Sequence, residues 1–281
     1  MPGPNLTGTQ NVDEYNLGRG IVYLSDLNPD GTPTNEWRDV GNATEFNITV
    51  ETETLEHFSS RAGVRVKDKE VIVQTEMNVS ITLDSINDQN VSLFFLGETA
   101  SYTNVTAFAE HTMIENAVLG RWYDIVNAAG ARAYDIATPA NLVLQVGANN
   151  LVSGTDYILD AKAGRVFLPV TATDGAGGGA GSLATEDIDV TLTTSGGDAS
   201  IPEVRALTNS GVSKAIKFIS VNPAASDAKT EYQIHKITLK PEGDFGLISD
   251  EWTTMTLNGA AEANPDADAD SQYLTQRYLG T

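Results

Sequence analysis

Apolar and polar residues alternate with a period of two along much of the chain, a pattern that predicts strands with one buried and one wet face. The clearest run is ATEFNITVETETL (43–55), where Phe46, Ile48 and Val50 share one face. Glu45, Asn47, Thr49, Glu51 and Glu53 share the other. A second long strand is expected over VIVQTEMNVSITL (71–83), with Val71, Val73, Met77, Val79, Ile81 and Leu83 opposed to Gln74, Glu76, Asn78, Ser80 and Thr82. Between them, EHFSSRAGVRVKDKE (56–70) breaks the alternation and reads as a charged loop containing Glu56, His57, Arg61, Arg65, Lys67 and Lys69. The two strands and their loop predict an extended antiparallel pair.

The period changes at DSINDQNVSLFFLG (84–97), which predicts a short helix. Asp84 or Ser85 would cap it, Asp88 suits its first turn and Gly97 would end it in the left-handed conformation. Ile86, Leu93, Phe94 and Phe95 would pack it onto a sheet. Further strands are expected at 18–26, 142–146, 156–160, 164–170, 186–194, 213–221, 231–240 and 253–259. Residues 161–164 read as a hairpin connection, and GAGGGAGS (175–182) as a linker or turn. The expected fold class is mainly β: an antiparallel β-sandwich or barrel-forming domain with one short flanking α-helix and a small β insertion. In segments, 1–17 reads as an N-terminal arm, 18–124 with 211–259 as the main β domain, 125–210 as an inserted β-rich module, and 260–281 as an acidic C-terminal arm.

Charge narrows the range of partners. The chain has 281 residues, with 38 acidic against 17 basic and a net charge of −21. Such a surface repels nucleic acid and anionic membranes, and it keeps free subunits apart until specific contacts outweigh the repulsion. No cysteine is present, which excludes disulfides and thiolate metal sites. The opening stretch lacks a basic region followed by an apolar one and is not expected to be a signal peptide. No apolar run approaches the roughly 20 residues of a membrane-spanning helix.

Candidate chemistry is thin. Asp26, Asn28, Asp30 and Gly31 match the opening of a calcium loop, but Trp37 stands where the closing carboxylate belongs, so a hairpin turn is the better reading. Asp266, Asp268 and Asp270 lack the glycine and closing glutamate of such a loop and read as a solvated tail. His57, His111 and His235 are not at ligand spacing, and no serine sits in a nucleophile elbow. No catalytic, cofactor or metal site is expected, and the chain does not read as an enzyme. Six Asn-x-Ser/Thr triplets, headed by Asn5, Asn42, Asn47, Asn78, Asn90 and Asn104, are expected from Thr- and Ser-rich strands without glycosylation. The basic cluster Arg61–Lys69 alternates with Asp68, and in so acidic a chain reads as a dock for an acidic patch on a neighbouring copy.

The stretch VGNATEFNITVETETLEHFSSRAGVRVKDKEVIVQTEMNVSITLDSINDQNVSLFFLGE (40–98) resembles the major tail-tube proteins of long-tailed, non-contractile bacteriophages. It matches in order: acidic strand, "leh.ss..G.r.kd" loop, long strand, short helix ending in Gly. HKITLKPEGDFGLISDEWTTMTLNG (235–259) is similar to that family's closing strands. The resemblance implies a structural virion protein that assembles in the host cytoplasm. Six copies would form a ring, rings would stack into a tube with tape-measure and terminator proteins, and DNA would pass without sticking. It further implies that Glu45, Asn47, Glu51, Glu53, Gln74 and Glu76 line the lumen. Glu56, His57, Arg61, Arg65, Lys67 and Lys69 would reach the adjacent ring. A β-sandwich adhesin or carbohydrate-binding module is the alternative, and would be a monomer with exposed aromatics on one face, whereas Trp37, Trp122 and Trp252 are scattered along the sequence; a capsid decoration protein is a nearer alternative.

Overall fold

A computed structural model of the chain describes residues 17–61, 63–175, 181–223 and 228–280. The fold is mainly β, with antiparallel sheets and one short α-helix, and among the described residues no sheet closes into a barrel. The chain divides into two units, one running to Thr99 and resuming at Val204, the other spanning Ala100–Glu203.

The first unit opens with β1 (Gly20–Ser25), β2 (Arg38–Asp39), β3 (Ala43–Ser59) and β4 (Val66–Leu83). The helix α1 (Asp88–Phe94) follows. Its cap is Asn87, whose side chain accepts the Asn90 N–H at 2.9 Å, and not Asp84 or Ser85. Those two instead hold the turn before β3: Ser85 Oγ accepts the Asn42 N–H at 2.8 Å and Asp84 Oδ2 accepts from Asn42 Nδ2 at 2.7 Å. Leu96, at φ 47°, takes the left-handed position after the helix. Gly97 is needed for a different reason, since a Cβ there would lie 2.2 Å from the Arg205 carbonyl oxygen. Leu93 and Phe94 are buried as expected, whereas Ile86 is exposed.

The chain then passes through β5 (Glu98–Thr103) into the second unit, which contains β6 (Phe108–Ile114), β7 (Arg121–Asp124), β8 (Leu142–Val146), β9 (Asn149–Asn150), β10 (Ile158–Asp160), β11 (Arg165–Leu168) and β12 (Ile188–Leu192). It returns along β13 (Ser200–Arg205), which is hydrogen-bonded to β5. One sheet has the order β6-β12-β8-β9 and another β10-β11-β7. Ile125, Ile136, Leu144, Leu168, Leu183, Ile188 and Leu192 fill the core, and full burial of each such side chain is worth about 1.5–3 kcal/mol. Asp156 is buried there, accepting the Val152 and Thr173 N–H groups at 2.8 and 3.2 Å and the Thr173 hydroxyl at 2.6 Å. Burial alone would push its pKa up, but these bonds outweigh that and the net shift is down. The unit begins earlier and ends earlier than the 125–210 module expected from composition. β6 and β7 precede residue 125, yet they pair with β12 and β11, and such long-range partners leave no local trace in sequence.

The first unit resumes with β14 (Val212–Asn222), β15 (Ala228–Glu242), β16 (Met255–Ala260) and β17 (Leu274–Gly280). Its strands run in the order β2-β1-β14-β15-β16-β4-β3, with β17 also on β15. β15 serves two partner sets: residues 228–239 pair with β14, and Lys240–Glu242 pair with β16. Val22, Ile81, Leu83, Ile216, Ile234, Ile237, Met255 and Leu257 from both parts form one core with Leu93 and Phe94 of α1. Of the expected N-terminal arm only Leu17 is described; its N–H donates to Asn222 Oδ1 at 3.1 Å. The expected C-terminal arm is largely structured, because Leu274–Gly280 adds an antiparallel strand to β15. Asp268 leads the chain into that strand, accepting the Asp270 and Ser271 N–H groups and the Thr275 hydroxyl at 3.0 Å.

His235 sits under this last strand, 2% exposed, with Nε2 3.0 Å from the Thr275 hydroxyl. Burial depresses its pKa; Asp268 and the Ser271 backbone pull it up, and Arg277 pushes it down. The folded state therefore favours the neutral ring. Its stabilising contribution is complete above the unfolded pKa of about 6.5 and declines as pH falls below it, by at most about 1.4 kcal/mol per pH unit for one proton. Urea denaturation at pH 7 and pH 5 is expected to show a smaller pH-dependent loss for His235→Gln than for the parent chain.

Candidate assembly surface

The polar and apolar faces of β3 and β4 are set by their ladder. Phe46 opposes Ile81, Ile48 opposes Val79 and Val50 opposes Met77, while Glu45, Asn47, Glu51 and Glu53 oppose Thr82, Ser80, Glu76 and Gln74. All six residues expected on the polar face thus share it. Near its outer end Glu51, Thr52, Glu53, Gln74 and Glu76 line a shallow hollow. Gln74 Nε2 donates to Glu76.

The segment 56–70 is not the loop expected. Pairing continues through Glu56–Glu70, His57–Lys69, Phe58–Lys67 and Ser59–Val66, so most of the segment belongs to the two strands. Backbone hydrogen bonds need no apolar side chains, and a charged run can therefore extend a strand. The register slips between Glu53 and Thr54, leaving one extra residue in β4. That bulge moves Val71, now opposite Leu55, onto the glutamate face, although simple alternation places it with Met77.

Only the inner part of this hairpin belongs to the core. β16 pairs with β4 over Asn78–Leu83, and past Asn78 the outer edge of β4 has no partner among the described residues. β3 pairs with β4 alone. From Val50 to Ser59 the hairpin extends about 30 Å at the usual strand rise. Both its faces are exposed there, and Val50, Leu55, Val71, Ile72 and Val73 lie in water. The run Val71-Ile72-Val73 was the available sequence signal: three successive β-branched residues suit a strand that is covered on both sides.

At the tip, Lys67 Nζ bonds Glu56 at 2.5 Å and also Glu70, and His57 Nδ1 lies 2.5 Å from Asp68. The bond to Glu56, then that to Glu70, raises the Lys67 pKa; the Lys67 contact lowers that of Glu70. Arg65 stacks 5.6 Å from the Phe58 ring centroid. Arg61, Arg65 and Lys69 form no ion pair among the described residues.

The remaining candidate residues have structural roles. Gly31 N–H donates to Asn28 O at 2.8 Å, Asp30 accepts the Thr32 N–H and hydroxyl at 2.9 and 2.7 Å, and Asp26 pairs with Lys214, which makes this segment a braced turn. Among the described residues no group of three or more His, Asp or Glu is placed to hold a metal. Asn90 and Asn104 are buried and hydrogen-bonded, Asn90 to the Val40 and Ser85 carbonyls and Asn104 to those of Tyr134 and Asp198, so neither is open to a glycan. Asn5 and most of GAGGGAGS lie outside the described residues.

Glu51 and Glu76 are placed directly opposite each other, an unfavourable pairing of like charges. Replacing one by a cation turns repulsion into attraction. Glu51→Lys, which leaves the Gln74–Glu76 bond in place, is expected to stabilise the isolated chain by about 0.2–1 kcal/mol, read from the denaturation midpoint.

No curated protein matches the chain. A family model described as "Protein of unknown function UCP028589" matches residues 15–277. The chain belongs to that family.

Proposed function

We propose that this chain is a tail-tube subunit, whose copies form hexameric rings that stack into a conduit for DNA. The observation that carries this reading is the outer half of the β3–β4 hairpin, which has free backbone edges and apolar side chains exposed on both faces. Exposed strand edges of that length invite pairing, and a chain that keeps them has a use for the pairing. Covering this surface with neighbouring copies removes apolar area from water at roughly 25 cal/mol per Å². That gain works against the mutual repulsion of copies carrying −21 each. Glu45, Asn47, Glu51, Glu53, Gln74 and Glu76 then line the lumen, where carboxylates repel the phosphates of passing DNA. These six carry four carboxylates and no lysine or arginine, and Lys240, in the row of Asn47 through Ser80 and Asn258, is a cation on the same face.

A second reading, a glycan-binding β module, draws on Ile158, Phe167 and Trp122, which form one row across β10, β11 and β7. Trp122 and Ile158 are exposed, but Arg165 covers one face of the indole at 4.5 Å from its centroid. This reading expects glycan-array binding that Trp122→Ala abolishes.

Negative-stain electron microscopy of the concentrated protein is expected to show stacked rings or tubes, and dispersed monomers would rule the tube reading out. Deleting residues 59–67 is expected to leave folded subunits that no longer polymerise. In phage carrying the subunit, Glu51→Lys with Glu53→Lys is expected to leave tubes intact and slow DNA ejection; ejection at the parental rate would remove these glutamates from the lumen.

A further inference from the structure

Two segments of the first unit hold large apolar side chains in water, and their free charges are of opposite sign. One is the loop 243–254 between β15 and β16. It is anchored at one point: the Phe245 ring packs against Phe94 at 5.6 Å and Phe95 at 5.5 Å between centroids. It is braced internally, with Thr253 Oγ1 donating to Gly246 O at 2.9 Å and Ser249 Oγ to Glu251 O at 2.6 Å. Beyond the anchor, Leu247, Ile248 and Trp252 are 84%, 98% and 93% exposed. Asp244, Asp250 and Glu251 stand beside them and form no ion pair among the described residues. A braced loop that shows three large apolar side chains to solvent is poorly suited to being a bare surface connection, which polar residues would serve better.

The other segment is the β3–β4 tip. Phe58, Val64 and Val66 are exposed there, beside Arg61, Arg65 and Lys69. Lys67 is taken up by Glu56 and Glu70, and Asp68 lies against His57, so the charged side chains of the tip left without an ion pair among the described residues are the cations Arg61, Arg65 and Lys69. In a chain of net charge −21 this is a rare local attraction for carboxylates.

We propose that loop 243–254 of one copy docks on the β3–β4 tip of a second copy. This rests on the tube reading and names the surface that receives the tip. Leu247 and Ile248 cover Val64 and Val66, Trp252 offers its ring to Arg61 or Arg65, and Asp244, Asp250 and Glu251 meet the three cations. Alternatives within the same pair of segments are disfavoured by charge, because tip against tip opposes cations and loop against loop opposes carboxylates. A contact between two different surfaces of the same chain is heterologous and can propagate from copy to copy, as a stack of rings requires.

The absence of native cysteine gives a clean test. Val64→Cys and Ile248→Cys are prepared separately, both at exposed positions whose replacement leaves the core untouched. Mixed, assembled and mildly oxidised, they are expected to give a disulfide-linked dimer that neither variant gives alone, with tubes still visible by electron microscopy. Tubes without the mixed dimer would overturn the docking and leave the tube reading standing. Mixed dimer without tubes would support the docking and defeat the tube reading, and absence of both would defeat the two together. As a second arm, Asp250→Lys with Glu251→Lys is expected to abolish stacking, and adding Arg61→Glu with Arg65→Glu to that chain is expected to restore it. Stacking that persists in the first variant, or failure of the second to restore it, would also overturn the docking.

Discussion

The backbone ladder between β3 and β4 carries more of this protein than any other interaction. It runs from Ala43–Leu83 at the core to Ser59–Val66 at the tip, through strands of 17 and 18 residues. At the inner end it delivers Ile81, Val79 and Met77 to the core and is held by β16 on its outer edge. At the outer end the same hydrogen bonds continue without a core beneath them. Backbone pairing is indifferent to side-chain polarity, whereas burial is not, so one ladder can be half structural element and half exposed surface. The proposed function depends on that second half.

The rest of the first unit supports the inner half of the ladder. β15 is central because it pairs with β14 and β17 along one stretch and with β16 along the next, which lets two groups of strands share one core. The helix adds Leu93 and Phe94 to that core and, through Phe245, holds the loop proposed to meet the hairpin tip. The core and the exposed loop thus draw on one aromatic group: the rings of Phe94, Phe95 and Phe245 close the core on one side and fix the loop on the other.

Charge organises the surface in the same two-sided way. The acidic excess keeps separate copies apart at long range, so the proposed association has to come from places where the sign reverses or where apolar area is large. The hairpin tip offers both. Along the ladder the carboxylates crowd on one face, even to the point of opposing Glu51 and Glu76, a local cost to the isolated chain.

The sequence by itself determined the mainly β class, the short helix, both faces of the inner ladder and most of the later strands, because hydrophobic periodicity is a local signal, whereas the capping residues of the helix were decided by the folded turn around it. It also determined that Asp26, Asn28, Asp30 and Gly31 form a turn, since Trp37 takes the closing position of a calcium loop. Tertiary structure alone decided the rest. The bulge beyond Glu53 inverts Val71, an offset that depends on both strands together. β17 becomes a strand only because the edge of β15 is there to receive it, and β6 and β7 join the second unit only through distant partners. The exposure of Leu247, Ile248 and Trp252 was equally hidden, because the same apolar letters would mark a core segment had the fold brought a partner over them. Local pattern states which side chains seek burial; only the packed chain shows which of them find it, and which stay in water.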